Sequence, residues 1–357
     1  MAFDQREPAG APGQPPRAGV HPAATARAAS AVLAVVLWCL ASPPAGLAAD
    51  SAARVLERLT PEQRAAQALL VAFFVPQPDQ PLEVRLADVR GLVQRHGLGG
   101  VVLQKGNNAF RNERGADLAP EIAAMANALQ ETALEGPAPG VPLFVAVDHE
   151  GDGDPLTHLR EGFTALPSAM AVGATFDVDS AETVGRIAGA ELAAVGVNML
   201  LGPVLDVLDD PRVDSGGDIG TRSFGGDPYW VQLLGAAYVR VAHVGSGGRL
   251  AVVAKHFPGH GGSDRSTDNE VATVNKSLEA LRQVELQPFA AVTAGAPGDP
   301  EAPHIADGLM TSHIRYRAVR PDIRSLTPPI SFDREAMEAL MALDGMPFAQ
   351  WRNLGGL

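Results

Sequence analysis

The sequence predicts an α/β fold. Short apolar runs alternate with longer amphipathic stretches along most of the chain. The runs are apolar on both faces, as strands of a parallel sheet covered by helices must be. Polar and titratable residues follow directly after successive runs, at what would be the C-terminal strand ends. Such ends form one mouth in a (β/α)8 barrel and one edge in a doubly wound sheet, so this pattern alone leaves both architectures open.

The elements follow in order. Residues 1–30 are rich in Ala, Pro, Gly and Arg and carry no apolar periodicity. The apolar run Ala31–Leu40 comes next, flanked by Arg17 and Arg27 and followed by small residues at Gly46 and Ala48. It is too short to span a bilayer comfortably, so residues 1–48 read as a secretory signal with an unusually long N-terminal region. An uncleaved anchor through residues 31–41 is the competing reading. Export to the periplasm or the extracellular space follows from either, and membrane contact is expected only through this segment. Residues 50–357 are expected to form the folded domain.

Thr60-Pro-Glu-Gln63 opens a helix, with Thr60 as N-cap, Pro61 at the first helical position and Gln63 completing a capping box. The strand candidates are Leu69–Phe74, Gly100–Leu103, Val141–Val147, Val197–Leu201, Leu250–Ala254 and Gly308–Met310. Helical patterns cover Ala119–Ala133, Ser180–Val195, Trp230–Val244 and Ser277–Thr293. Arg352-Asn-Leu-Gly-Gly-Leu357 repeats the cadence of Arg95-His-Gly-Leu-Gly-Gly-Val101, which opens the second strand.

Composition removes several functions. The 357 residues carry a net charge of -13, which opposes a general affinity for nucleic acid or anionic membrane. A single Cys excludes an intramolecular disulfide framework, a CxxC pair and a Cys-based zinc site. No GxGxxG fingerprint or Walker loop marks a nucleotide site. Lys occurs only at 105, 255 and 276, so a Lys inside a strand-end motif stands out.

That motif is Lys255-His-Phe-Pro-Gly-His-Gly261, and it resembles the fifth-strand signature of glycoside hydrolase family 3, nearest the bacterial β-N-acetylhexosaminidase branch. Other segments match in order: Val147-Asp-His-Glu-Gly151, Asn198-Met-Leu-Leu-Gly-Pro-Val-Leu-Asp-Val207, Ile219-Gly-Thr-Arg-Ser-Phe-Gly225 with Asp227-Pro228, Glu285-Leu-Gln-Pro-Phe289 and Gly308-Leu-Met-Thr-Ser-His313. The resemblance spans roughly residues 55–357. It implies a (β/α)8 TIM-type barrel, incomplete at the C-terminus. It implies retaining hydrolysis of terminal β-linked N-acetylhexosamine or glucose, with a carbohydrate substrate and no metal or organic cofactor.

Asp148, Arg222, Lys255 and His256 would by resemblance grip the nonreducing sugar, with His260 beside them. The residue types suit that task, because Asp148 accepts hydroxyl protons, Arg222 and Lys255 donate, and His256 does either. The alternative is structural: an Asp148–Arg222 ion pair, with Lys255 merely buried at a strand end. Asp206 is expected to bond nearby backbone amides. Thr311, Ser312 and His313 could line the pocket floor.

The sequence departs from the family in three places. The family's nucleophile is an Asp just after the seventh strand, whereas this sequence ends at Gly355-Gly-Leu357. The expectation is a fragment with negligible turnover, or else an exported glycan-binding protein without catalysis. The branch's Asp-x-His acid/base is also missing from the loop Gly262–Glu270. Asp264 is the candidate replacement, with Asp268 and Glu270 behind it. An Arg expected near His158 is absent as well, which leaves the acetamido preference open.

Overall fold

A computed structural model describes residues 45–75, 79–110, 113, 115, 117–136, 141–152, 157–212, 219–265 and 270–357. The apolar run Ala31–Leu40 and Asp268 lie outside the described residues. The chain divides into two compact units, Met1–Arg58 and Leu59–Leu357. In the first unit the described part is helix α1 (Ala45–Arg58). Among the described residues no helix is long and apolar enough to cross a membrane.

The second unit opens as the capping signals predict. Helix α2 (Pro61–Gln67) starts at Thr60, whose hydroxyl accepts from the Gln63 amide while the Gln63 side chain returns a bond to the Thr60 amide. Strands and helices then alternate: β1 (Leu70–Ala72), α3 (Leu82–His96), β2 (Gly100–Leu103), α4 (Ala119–Leu134), β3 (Phe144–Val147), α5 (Ala169–Gly173), α6 (Val178–Ala194), β4 (Met199–Val204), α7 (Pro228–Ser246) and β5 (Ala251–Phe257). After β5 come β6 (Thr273–Val274), α8 (Leu278–Gln283), α9 (Leu286–Ala291), β7 (Gly308–Thr311), β8 (Arg315–Tyr316), α10 (Arg334–Met341) and α11 (Phe348–Asn353).

Six strands pair in parallel in the order β1-β2-β3-β4-β5-β7. All six strand candidates therefore fall in one curled sheet, in chain order, as an incomplete (β/α)8 barrel requires. Leu357 adds to the edge of β7: its N–H donates to the Asp307 carbonyl at 3.0 Å and its carbonyl accepts from Leu309 N–H at 2.9 Å. That is parallel pairing opposite Gly308. Strands β6 and β8 form a separate two-stranded ladder at the site end.

Period-two alternation splits each strand between two environments. Val101, Leu103, Val145, Val147, Leu200, Val252 and Ala254 join the main core under the helices. Val102, Phe144, Ala146, Met199, Leu201, Val253 and Met310 pack together on the concave face. On the helix side, α6 and α7 approach closely because Gly185 and Gly189 face α7. A Cβ there would stand 2.7 and 2.3 Å from the carbonyl oxygens of Tyr238 and Ala242.

One helix expectation needs correction. The pattern Ser277–Thr293 forms two short helices, α8 and α9, rather than one. Pro288 is the reason. It has no amide proton to bond the carbonyl four residues back, and its ring crowds that carbonyl, which belongs to Val284. The helix breaks at Val284 and Glu285 and turns the carboxyl of Glu285 into the interior beneath the loop after β5.

Candidate active site

The strand ends converge on a cavity of about 700 Å³ lined by Asp148, Glu150, Arg222, Lys255, His256 and His260, with His158 and His313 also on its wall. Asp148 and Glu150 follow β3. Arg222 sits in a short helical turn (Gly220–Arg222) after β4, and Lys255 and His256 belong to the end of β5. The ladder register shifts opposite Gly202-Pro203 and again between Lys255 and Phe257. Pro203 has no amide proton to offer the ladder, which accounts for the first shift.

Lys255 is the centre of the charged wall. Its side chain is only 2% exposed, and its ammonium bonds Asp148 Oδ1 at 2.5 Å and Glu150 Oε1 at 2.6 Å. A buried ammonium without such partners would be expelled or neutralised. Glu150 in turn receives Arg222 through both oxygens, Nε to Oε2 at 2.7 Å and NH2 to Oε1 at 2.9 Å. This fork fixes the guanidinium plane. Burial would push the Glu150 carboxyl up, but Lys255 and then Arg222 outweigh it and hold its pKa down at about 2.

A second buried carboxylate organises the imidazoles. Asp206 is fully buried. Its Oδ1 accepts from the backbone N–H of His260 at 2.7 Å and of His256 at 3.3 Å, and its Oδ2 bonds His256 Nδ1 at 2.7 Å. Burial opposes the charged form, yet His256 and the His260 N–H keep the Asp206 carboxyl below its ordinary value. Nδ1 of His256 thus faces the Asp206 carboxylate, and Nε2 lies 3.4 Å from Arg222 NH2 on the cavity side. The His260 ring packs edge-on against His256, centroids 5.5 Å apart.

The expected sugar-gripping residues thus come together: Asp148, Arg222, Lys255, His256 and His260 all face one cavity. The alternative Asp148–Arg222 ion pair does not form, because Arg222 bonds Glu150 and Asp148 bonds Lys255. Asp206 bonds the backbone amides expected of it and, beyond that, the imidazole of His256. His313 lines the cavity with its Nδ1 bonded to Ser331 Oγ at 2.6 Å, and Ser312 Oγ bonds the Tyr316 hydroxyl at 2.7 Å.

Asp264 lies elsewhere. It is not among the cavity-lining residues, and its carboxylate bonds Arg265 and the Thr273 N–H at 2.7 Å. Despite some burial, Arg265 and that N–H lower its pKa, which disfavours proton donation at neutral pH. Glu270 is exposed and also pairs with Arg265.

Glu150 is the residue that the sequence analysis passed over. The signal was there: it stands two residues after Asp148, hence on the same side of an extended chain, near two cations with one carboxylate assigned between them. His149 between them points away, is 1% exposed, and has no hydrogen-bond partner on either ring nitrogen. Burial lowers its pKa to about 4, so it is neutral.

Asp206, His256 and His260 also form a group of metal-ligand types, with ligand atoms within 4.8 Å of one another. Both oxygens of Asp206 already accept hydrogen bonds, so the group is satisfied as it stands.

The profile of the Glycosyl hydrolase family 3 N terminal domain matches residues 64–350. The chain belongs to glycosyl hydrolase family 3. Among curated relatives, a β-hexosaminidase of Pseudomonas aeruginosa is 32% identical over 219 residues, covering 60% of this chain and 58% of that protein. One from Xylella fastidiosa is 30% identical over 276 residues, covering 74% of this chain and 72% of that protein. The chain therefore matches rather more than half the length of the Pseudomonas relative. Among solved structures, a family 3 β-N-acetylglucosaminidase from Paenibacillus sp. superposes with a TM-score of 0.63 at 30% identity, covering 79% of this chain and 46% of that one. A β-N-acetylhexosaminidase from Beutenbergia cavernae gives 0.61 at 28% identity, covering 79% and 74%.

Proposed function

We propose that the protein is a retaining glycoside hydrolase that removes terminal β-linked N-acetylhexosamine, or glucose, from glycans. Residues 59–357 supply its grip on the nonreducing sugar. One observation carries the reading: a buried Lys255 held between Asp148 and Glu150, beside an Arg222 fixed by a two-bond fork, in a cavity at the strand ends. Such a wall offers donors and acceptors already aimed, so sugar hydroxyls exchange water for protein partners with little reorganisation. Two of the three hydrogens on Lys255 are committed to carboxylates, and the third is left for a hydroxyl. Asp148 keeps one oxygen as an acceptor. The relatives named β-hexosaminidase favour the N-acetylhexosamine arm. Export by the segment before residue 49 belongs to the same reading and would be tested by the location of a reporter fused after Asp50.

A second reading, sugar binding without cleavage, is favoured by one feature. Retaining hydrolysis needs a free carboxylate nucleophile and an acid/base about 5 Å apart. Among the described residues, the carboxylates on the cavity wall are Asp148 and Glu150, and both are paired with cations. Calorimetric titration with N-acetylglucosamine, alongside release of nitrophenol from its β-nitrophenyl glycoside, separates the readings. Saturable binding lost in Lys255→Met together with turnover supports hydrolysis. Binding without turnover supports the second reading. No binding at all overturns both.

A further inference from the structure

We propose that Phe332, stacked on His313, is the platform for the second sugar of the glycan, the one on the leaving-group side of the scissile bond. The inference rests on the sugar-binding reading above and extends it to a position that neither the charged wall nor Asp206 serves. His313 lines the cavity just after β7 and is exposed to solvent. Its Nδ1 bonds Ser331 Oγ at 2.6 Å, which fixes the plane of the ring. Phe332 lies nearly parallel to that plane, centroids 5.9 Å apart at 13°, and is 75% exposed.

A single exposed phenylalanine is ordinary in itself. This one differs because it extends the surface of a cavity-lining imidazole whose orientation is set by a hydrogen bond. The two stacked rings make an amphipathic shelf beside a cavity whose wall also carries the charged Asp148, Glu150, Arg222 and Lys255. A pyranose is built to meet both. Its hydroxyls radiate at the edge toward donors and acceptors, while its axial C–H bonds make an apolar face that lies on an aromatic ring. In this reading, with the nonreducing sugar held by Asp148 and Lys255, the next sugar passes His313 and meets the Phe332 ring stacked on it. The backbone supports the shelf: Ile330 N–H donates to the Ile314 carbonyl at 2.8 Å, which ties the Phe332 segment to the chain just after His313.

The test compares one sugar with two. Calorimetry would titrate the chain with N-acetylglucosamine and with its thio-linked β-1,4 disaccharide, which resists hydrolysis. The disaccharide is expected to bind about fivefold to tenfold more tightly than the monosaccharide. Phe332→Ala should abolish that advantage and leave monosaccharide affinity unchanged, and Phe332→Trp should keep or enlarge it. Saturation-transfer NMR should show the second ring's protons in contact with the native protein and not with Phe332→Ala. The side chain is exposed, so neither variant threatens the fold, and matching circular dichroism and melting temperature would verify this. Monosaccharide binding with a disaccharide advantage untouched by Phe332→Ala overturns the platform and leaves the sugar-binding reading standing. Absence of monosaccharide binding in the native chain overturns the underlying reading and the platform with it.

Discussion

Replacing Glu150 with Gln keeps its shape and removes its charge, and so isolates what the charge contributes. Burial of the carboxyl favours the neutral acid; Lys255 and Arg222 reverse that preference and take its pKa from 4.5 to about 2. With the side chain only 6% exposed, solvent screening is slight, and the depression corresponds to on the order of 3 kcal/mol of stability at neutral pH. Breaking a buried ion pair by removing one partner costs a similar amount, roughly 3–5 kcal/mol. Because the folded-state pKa lies below the unfolded one, the stabilisation is complete above pH 4.5 and disappears as the pH falls toward 2. Thermal and urea unfolding of the native chain and Glu150→Gln should therefore differ by about 5–10 °C in melting temperature at pH 7. The difference should shrink steadily between pH 4.5 and pH 3. Equal melting temperatures at pH 7, or a difference that stays constant as the acid range is entered, would refute the assignment of Glu150 as the ionised keystone of the wall.

Other outcomes follow from the same geometry. Lys255→Met should lower monosaccharide affinity at least tenfold and also destabilise the chain, since two carboxylates lose their shared cation; titration calorimetry and melting read the two effects separately. Asp206→Ala leaves two backbone N–H groups and His256 Nδ1 without an acceptor, at roughly 1–3 kcal/mol each, so it should unfold at markedly lower urea concentration than Asp206→Asn, which keeps one acceptor oxygen. Gly261→Ala would set a Cβ 1.6 Å from the Val207 carbonyl oxygen, and should displace the loop after β5 and abolish sugar binding. At the opposite end of the sheet, burial opposes charge on His243, but Asp307 at 2.8 Å raises its pKa. The pair's stabilisation is fully present below the ordinary histidine value of 6.5 and is lost as the pH rises through the folded-state value. A melting curve of His243→Gln should thus converge on the native one at alkaline pH.

The sheet was legible because its signal is local. Each strand is a short apolar run bounded by polar residues, and parallel strands buried on both faces have no alternation that could be misread. The cavity-lining cations were legible for a related reason: Lys255 sits at the end of an apolar run in a chain with very few lysines, so burial and charge collide at a position visible in the sequence. What the sequence hid is pairing. Glu150 and Asp148 are equally close to the strand end, and only the fold shows that Arg222 takes Glu150 and leaves Asp148 beside Lys255 alone. The break at Val284 was readable from Pro288, yet the amphipathic pattern continues across it and masks the stop. The shelf of His313 and Phe332 joins residues on either side of β8, a contact that no periodicity announces.

The division of labour between the two buried carboxylates explains why the cavity can be both charged and rigid. Glu150 and Asp206 are each almost wholly removed from solvent, and each ties down groups that face the cavity: Glu150 holds Lys255 and Arg222, and Asp206 holds His256 and the backbone of His260. A sugar entering the site therefore meets side chains whose far ends are already fixed, and little of the binding energy is consumed in ordering them. The two sets touch where Arg222 NH2 approaches His256 Nε2 at 3.4 Å. That contact joins the partners of the two buried carboxylates into one network along the cavity wall. The framework thus stands as a pre-ordered wall, its rigidity set by Glu150 on the cavity surface and by Asp206 buried behind it.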